Sequence, residues 1–65
     1  MESKVADDAV KEYKMVKRNG TRMDICVHAG LVAAAYLQAK NEDEYRRWKA
    51  TEKSDCAVAG LSSER

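Results

Sequence analysis

A nine-residue apolar run, Ala29 to Leu37, lies between two polar segments near the middle of this 65-residue chain. The run is about half as long as a membrane-spanning helix requires, so it predicts packing inside a protein and no membrane partner. A chain of this size forms one small helical domain, residues 1–65, and buries only about 60% of the surface that it exposes when unfolded. Regular helix packing or a partner chain is therefore expected to supply part of its stability.

The composition favours helices throughout the chain. There is no proline and there are three glycines, whereas residues of high helix propensity are plentiful. Twelve basic and eleven acidic residues give a net charge of +1, which provides no strong overall attraction to nucleic acid or to an acidic membrane. The first ten residues, MESKVADDAV, lack the basic and apolar segments of a secretory signal. We therefore expect an all-α protein of the cytoplasm.

The first predicted helix begins at a Ser3 cap and ends near Asn19 and Gly20. Gly20 offers a left-handed helix end, and Thr21 followed by Asp24 has the form of a capping box that starts a second helix. The alternative is one continuous helix, because apolar residues keep a spacing of four and three through the glycine. A glycine within a helix costs only about 1 kcal/mol relative to alanine.

The second predicted break lies at Asn41. Asn41 and Glu44 form another N-cap pair, from which a third helix is predicted to begin at about residue 42. This helix is expected to end at Ala59, with Gly60 as a left-handed cap and Leu61 folded back against it.

A short connection between the last two helices predicts their relative direction. Helices joined by a loop of about three residues return antiparallel, so we predict an antiparallel helical hairpin over residues 22–60. The N-terminal helix either packs against this hairpin or extends its first helix. Residues whose numbers add up to about 82 then face each other, which places Cys26 level with Cys56 and Ala34 near Trp48. The small residues around Ala34 are predicted to receive the indole ring and bury it.

The central helix is apolar over more than one face, which is typical of a helix that is contacted from more than one side. Two or three short helices do not cover such a helix fully, so we predict a homo-oligomer. The residues expected to contact another chain are Val27, Leu31, Ala34, Leu37 and Trp48.

The two cysteines and the single histidine are interpreted as structural. Cys26 and Cys56 would form a disulfide if their Cα atoms came within about 7 Å, but two reduced and buried thiols are the favoured interpretation for a cytoplasmic protein. His28 lies about 200° around a helix from Cys26, which is a poor arrangement for a nucleophile and its base. No metal-binding spacing, phosphate loop or nucleophile elbow is present. We expect no catalytic residue, no cofactor, no metal and no enzyme activity.

A basic cluster supports a second interpretation, in which the protein is a small DNA-binding regulator. The cluster consists of Lys11, Lys14, Lys17, Arg18 and Arg22. Positions 11, 14 and 18 share a helix face that would contact phosphates, and residues 21–59 would form a helix-turn-helix. The second helix of that motif, however, begins with acidic residues that repel the DNA backbone. A solvated basic surface at a helix end is therefore the favoured interpretation.

The segment DICVHAGLVAAAYLQAKNEDEYRRWKATEKSDCAVAGL, residues 24–61, resembles short helical proteins encoded by tailed phages and prophages. The resemblance covers somewhat over half of the chain. It implies a phage or prophage setting, hence the cytoplasm of a bacterial host, and it implies no activity and no functional residue. Together with the apolar central helix, it predicts a non-enzymatic interaction module that associates with itself and binds a protein partner.

Overall fold

Three α-helices make up most of the described part of the chain. The computed structural model describes the backbone of residues 2–60 and the side chains of residues 4–60. Helix α1 spans Glu2–Asn19, α2 spans Arg22–Gln38 and α3 spans Glu42–Val58, and no strand occurs in the described backbone. The prediction of an all-α protein is confirmed.

The chain breaks between α1 and α2, so the alternative of one continuous helix is wrong. The Thr21 hydroxyl accepts a hydrogen bond from the Asp24 N–H at 3.1 Å, and the Asp24 carboxylate accepts one from the Thr21 N–H at 3.5 Å, which is the predicted capping box. Gly20 does not adopt the predicted left-handed conformation. Its role is steric, because a Cβ at this position would lie 2.7 Å from Cγ1 and 2.9 Å from the carbonyl oxygen of Val16. Helix α1 begins one residue before Ser3, whose side chain lies outside the described residues.

Helix α3 begins and ends as predicted. The Asn41 side-chain oxygen accepts a hydrogen bond from the Glu44 N–H at 3.2 Å. At the other end, Ala59 is the C-cap, and Gly60 follows in the left-handed region with a φ of 79°. Leu61, which was expected to fold back on this cap, lies outside the described residues.

A short turn joins α2 to α3 through a left-handed residue that is not glycine. Lys40 has a φ of 61°. The N–H of Lys40 donates to the carbonyl of Leu37, and the N–H of Asn41 donates to the carbonyl of Tyr36, both at 3.0 Å. These two bonds form a Schellman motif, which satisfies carbonyl groups at the end of a helix.

The three helices lie side by side, with α2 in the middle. Helix α2 packs against both α1 and α3, whereas α1 and α3 are linked only by side chains. The Cα atoms extend 35 × 26 × 12 Å, and three adjacent helices with 8–10 Å between their axes would span about 21 to 25 Å. The intermediate dimension therefore matches a row of helices. Side chains of α1 and α3 cover one outer face of the central helix, and large apolar side chains are exposed elsewhere on it.

The core is small and lies on one side of this row. Tyr13 of α1 and Ala29 and Val32 of α2 form the buried cluster, and Trp48 of α3 packs against it. Val32 is the largest side chain that is fully buried among the described residues. Within residues 2–60, no helix combines the length and the apolar character needed to cross a membrane.

Candidate interaction surface

One side of α2 carries large apolar residues that remain about half exposed. Met23, Val27, Leu31 and Leu37 are each 52% exposed, and Ala34 is also exposed. Their spacing of four, four, three and three residues places them along one side of the helix. We call these five residues the α2 stripe.

The opposite side of α2 is also apolar and forms the core. Cys26, Ala29, Val32 and Ala33 are its buried residues. A helix that is apolar around most of its circumference is typical of the interior of a larger assembly, because water otherwise remains in contact with one of its apolar sides.

Trp48 does not belong to the α2 stripe, although the sequence placed it with four of the stripe's residues. Its ring packs edge-on against Tyr13, with 5.0 Å between the ring centroids and 84° between the ring planes. This contact belongs to the core side, where Trp48 is half-buried. Ala34 is exposed on the other side of α2. The prediction that Ala34 lies beside the indole ring is therefore wrong, and the ring packs against the cluster of Tyr13, Ala29 and Val32.

The pair of Tyr13 and Asp55 links α1 to α3 on the core side. The Tyr13 hydroxyl donates a hydrogen bond to the Asp55 carboxylate at 2.6 Å and accepts one from the Lys17 ammonium group at 3.4 Å. Burial, followed by the hydrogen bond to Asp55 and the charge of that carboxylate, raises the pKa of Tyr13 from 10.0 to about 12. The hydroxyl therefore stays neutral and acts as a structural donor at physiological pH. No sequence pattern predicts this pair, whose members are separated by 42 positions.

Cys26 and Cys56 form a disulfide, with 4.6 Å between their Cα atoms. The predicted register placed them level, but the expectation of two reduced thiols is wrong. Because Cα atoms lie about 2.3 Å from a helix axis, this Cα separation fits an ordinary distance of about 9 Å between the axes of α2 and α3, provided that the two cysteines face each other directly. Gly30 lies one turn after Cys26 on α2, and the Glu52 carboxylate lies 2.8 Å from the position that a Cβ of Gly30 would occupy.

The basic cluster is exposed, as a nucleic-acid contact would require. Four of its members, together with Met15, line a shallow depression on α1, and Arg22 begins α2. The ion pairs found among the described side chains all lie within α3. These pairs are Arg46 with Glu42, Arg47 with Glu44, and Lys49 with Glu52. The exposed members of the cluster are Lys11, Lys14, Lys17, Arg18 and Arg22.

Groups that carry out chemistry are scattered in the described part of the chain. His28 is half-buried on α2, and no three His, Cys, Asp or Glu side chains among the described residues come close enough to hold a metal ion. Comparison with models of protein families, with curated proteins and with solved structures gave no match.

Proposed function

We propose that the protein is a small, non-enzymatic interaction module that associates with itself through the α2 stripe and binds a protein partner. The exposure of the stripe carries this proposal. Four large apolar side chains, each 52% exposed, lie together on a helix whose opposite side forms the core. Their burial against another chain would remove apolar surface from water, at about 25 cal/mol per Å².

In this proposal, α2 and α3 form an antiparallel hairpin to which α1 adds a third helix. Two contacts support that arrangement. Cys26 is bonded to Cys56, whereas Gly30, one turn later in α2, lies beside Glu52, one turn earlier in α3. Residue numbers rise along one helix as they fall along the other, as expected of antiparallel neighbours.

A second copy of the chain is the proposed occupant of the α2 stripe. Domains are usually built from two packed layers of secondary structure, and this chain has its helices side by side. Two copies that meet through their α2 stripes would supply two layers. Because both copies offer the same apolar surface, a two-fold symmetric contact buries it on each side.

The proposed setting is phage or prophage biology, and it rests on the resemblance of residues 24–61 alone. The cytoplasm of a bacterial host is part of that setting. A persistent disulfide is rare in the cytoplasm, where thiols are kept reduced. The bond between Cys26 and Cys56 is therefore unusual for that setting.

Sedimentation equilibrium tests self-association, with a matched pair of variants. Leu31→Gln places a polar group in the α2 stripe, whereas Val58→Gln makes the same kind of change on α3, where Val58 is 62% exposed. We expect a dimer or higher oligomer at micromolar concentration, weakened roughly tenfold or more by Leu31→Gln. Val58→Gln should associate as the wild type does.

Two results would contradict the proposal. One is a 7.3 kDa species at every concentration tested. The other is an equal effect of the two variants on association, with circular dichroism showing that both keep the helix content of the wild type.

The alternative function is a small DNA-binding regulator that uses the basic cluster of Lys11, Lys14, Lys17, Arg18 and Arg22. The exposure of all five side chains favours it. Phosphate contacts make DNA affinity fall steeply as salt concentration rises, whereas apolar contacts between helices respond little. Duplex binding that weakens with salt, and whose salt dependence decreases in a Lys14→Gln/Arg18→Gln variant, would support this alternative.

A further inference from the structure

We propose that Cys26 and Cys56 form a reversible thiol–disulfide site and that their bond holds α3 against α2. The described fold is then the oxidised form of the protein, and reduction releases α3. This inference concerns how the fold is maintained and not which partner it binds, and it means that the hairpin of α2 and α3 is complete only in the oxidised form.

The side of α3 that packs on α2 is only half-buried, and most of its side chains there are polar. None of its residues is fully buried. Besides the disulfide, its contacts with the other helices include the packing of Trp48 on the core cluster, the hydrogen bond from Tyr13 to Asp55, and the approach of Glu52 to Gly30. Most of the other side chains of α3 are charged or exposed to solvent. A helix that buries an apolar stripe in the core is held by that burial. Helix α3 buries little apolar surface, so the covalent link contributes more to holding it in place.

The disulfide closes a long loop in a small chain. Its two cysteines are separated by 30 positions, and the loop-entropy model predicts that such a crosslink shifts the folding equilibrium towards the native state about 500-fold. The described core contains only six buried hydrophobic residues. Loss of the bond should therefore decide whether α3 remains docked.

The two sulfurs differ in how easily a reagent reaches them. Cys26 is 7% exposed, whereas Cys56 is half-buried and lies two residues before the end of α3. We therefore assign Cys56 as the sulfur that an incoming thiolate attacks. The bond between Cys26 and Cys56 breaks, Cys26 leaves as a thiolate and takes up a proton, and a mixed disulfide forms at Cys56.

The second thiol of a dithiol reagent then completes the reduction. It attacks the mixed disulfide, which releases Cys56 as a thiol and leaves the reagent as a disulfide. The protein has gained two electrons and two protons. A small-molecule disulfide such as oxidised glutathione reverses the reaction by accepting the two electrons, and it is released as two thiols. This chemistry allows the chain to be reduced in a cytoplasm and oxidised outside it.

Titration of the full-length chain with dithiothreitol tests the site, and alkylation of free thiols followed by mass measurement reports the state of the bond. As the thiols appear, we expect the Trp48 emission to shift to longer wavelength, its quenching by iodide to increase and the helix content to fall. Oxidised glutathione should restore all three signals. Complete reduction with no change in emission or helix content would overturn the inference, as would failure of the bond to form again.

A variant without the bond provides the second test. Cys26→Ala/Cys56→Ala should match the reduced wild type in Trp48 emission and helix content, and it should not respond to the redox buffer. A double variant that matches the oxidised wild type would show that the bond does not hold α3, and the inference would then be wrong.

Discussion

Replacement of Tyr13 by phenylalanine separates the contribution of the hydroxyl group to stability from that of the aromatic ring. The ring keeps its edge-on contact with Trp48, whereas the 2.6 Å hydrogen bond to Asp55 is lost. Hydrogen bonds to charged groups contribute about 1.5 to 3 kcal/mol, and the Asp55 carboxylate is only half-buried, so water can replace part of the lost bond. We expect Tyr13→Phe to lower the free energy of unfolding by about 1 to 2 kcal/mol at neutral pH.

The same hydroxyl predicts how stability changes in alkali. Because folding raises the pKa of Tyr13 from 10.0 to about 12, the folded state holds this proton more tightly than the unfolded state does. The contribution of the protonated Tyr13 hydroxyl to the free energy of unfolding is complete below pH 10 and is lost as the pH rises from 10 to 12. This difference in pKa between the folded and unfolded states corresponds to a loss of about 2 to 3 kcal/mol in the free energy of unfolding over that pH interval.

Urea unfolding at a series of pH values measures both effects. The difference in unfolding free energy between the wild type and Tyr13→Phe should shrink as the pH passes through 10 to 12. Tyr45→Phe is the control, because it removes a hydroxyl for which the described residues provide no hydrogen bond. If Tyr13→Phe lost stability in alkali as steeply as the wild type, the assignment of this pH dependence to Tyr13 would be refuted.

Three backbone positions give further predictions, each measured by thermal or urea unfolding. Gly30→Ala should be neutral or stabilise by up to about 1 kcal/mol, because only the flexible end of Glu52 has to move; a large loss would contradict this. Gly20→Ala should destabilise, since its Cβ would meet the backbone of Val16; unchanged stability would argue against a steric role for this glycine. Lys40→Gly should stabilise by about 1 kcal/mol, because Lys40 adopts a left-handed conformation that glycine tolerates better; the opposite sign would refute that explanation.

The helix boundaries were predictable from the sequence because they depend on interactions between near neighbours. Thr21 and Asn41 each cap a helix through a residue three positions later. The prediction that Cys26 and Cys56 lie level on neighbouring helices followed from the length of the turn between α2 and α3. Only the local geometry of the chain is needed to predict such features.

The features that the sequence did not predict depend on rotation about the helix axes. Ala34 and Trp48 are level along their helices, but a single turn length does not determine which side of α2 faces the ring. The hydrogen bond between Tyr13 and Asp55 joins α1 and α3, which are not consecutive in the sequence, so no turn length predicts their contact. The oxidation state of the cysteines was expected from an assumed compartment, whereas their 4.6 Å Cα separation depends on how closely α2 and α3 approach.

The disulfide also divides the molecule into a crosslinked part and a part outside the crosslink. It closes a loop that contains most of α2 and α3, whereas α1 lies outside that loop. Helix α1 is held by the turn at Gly20 and by side chains such as Ala6 and Tyr13. Such a division favours partial unfolding, in which α1 detaches while the crosslinked pair remains together. In this open form the core side of α2 would be uncovered, so the protein would present two apolar surfaces instead of one.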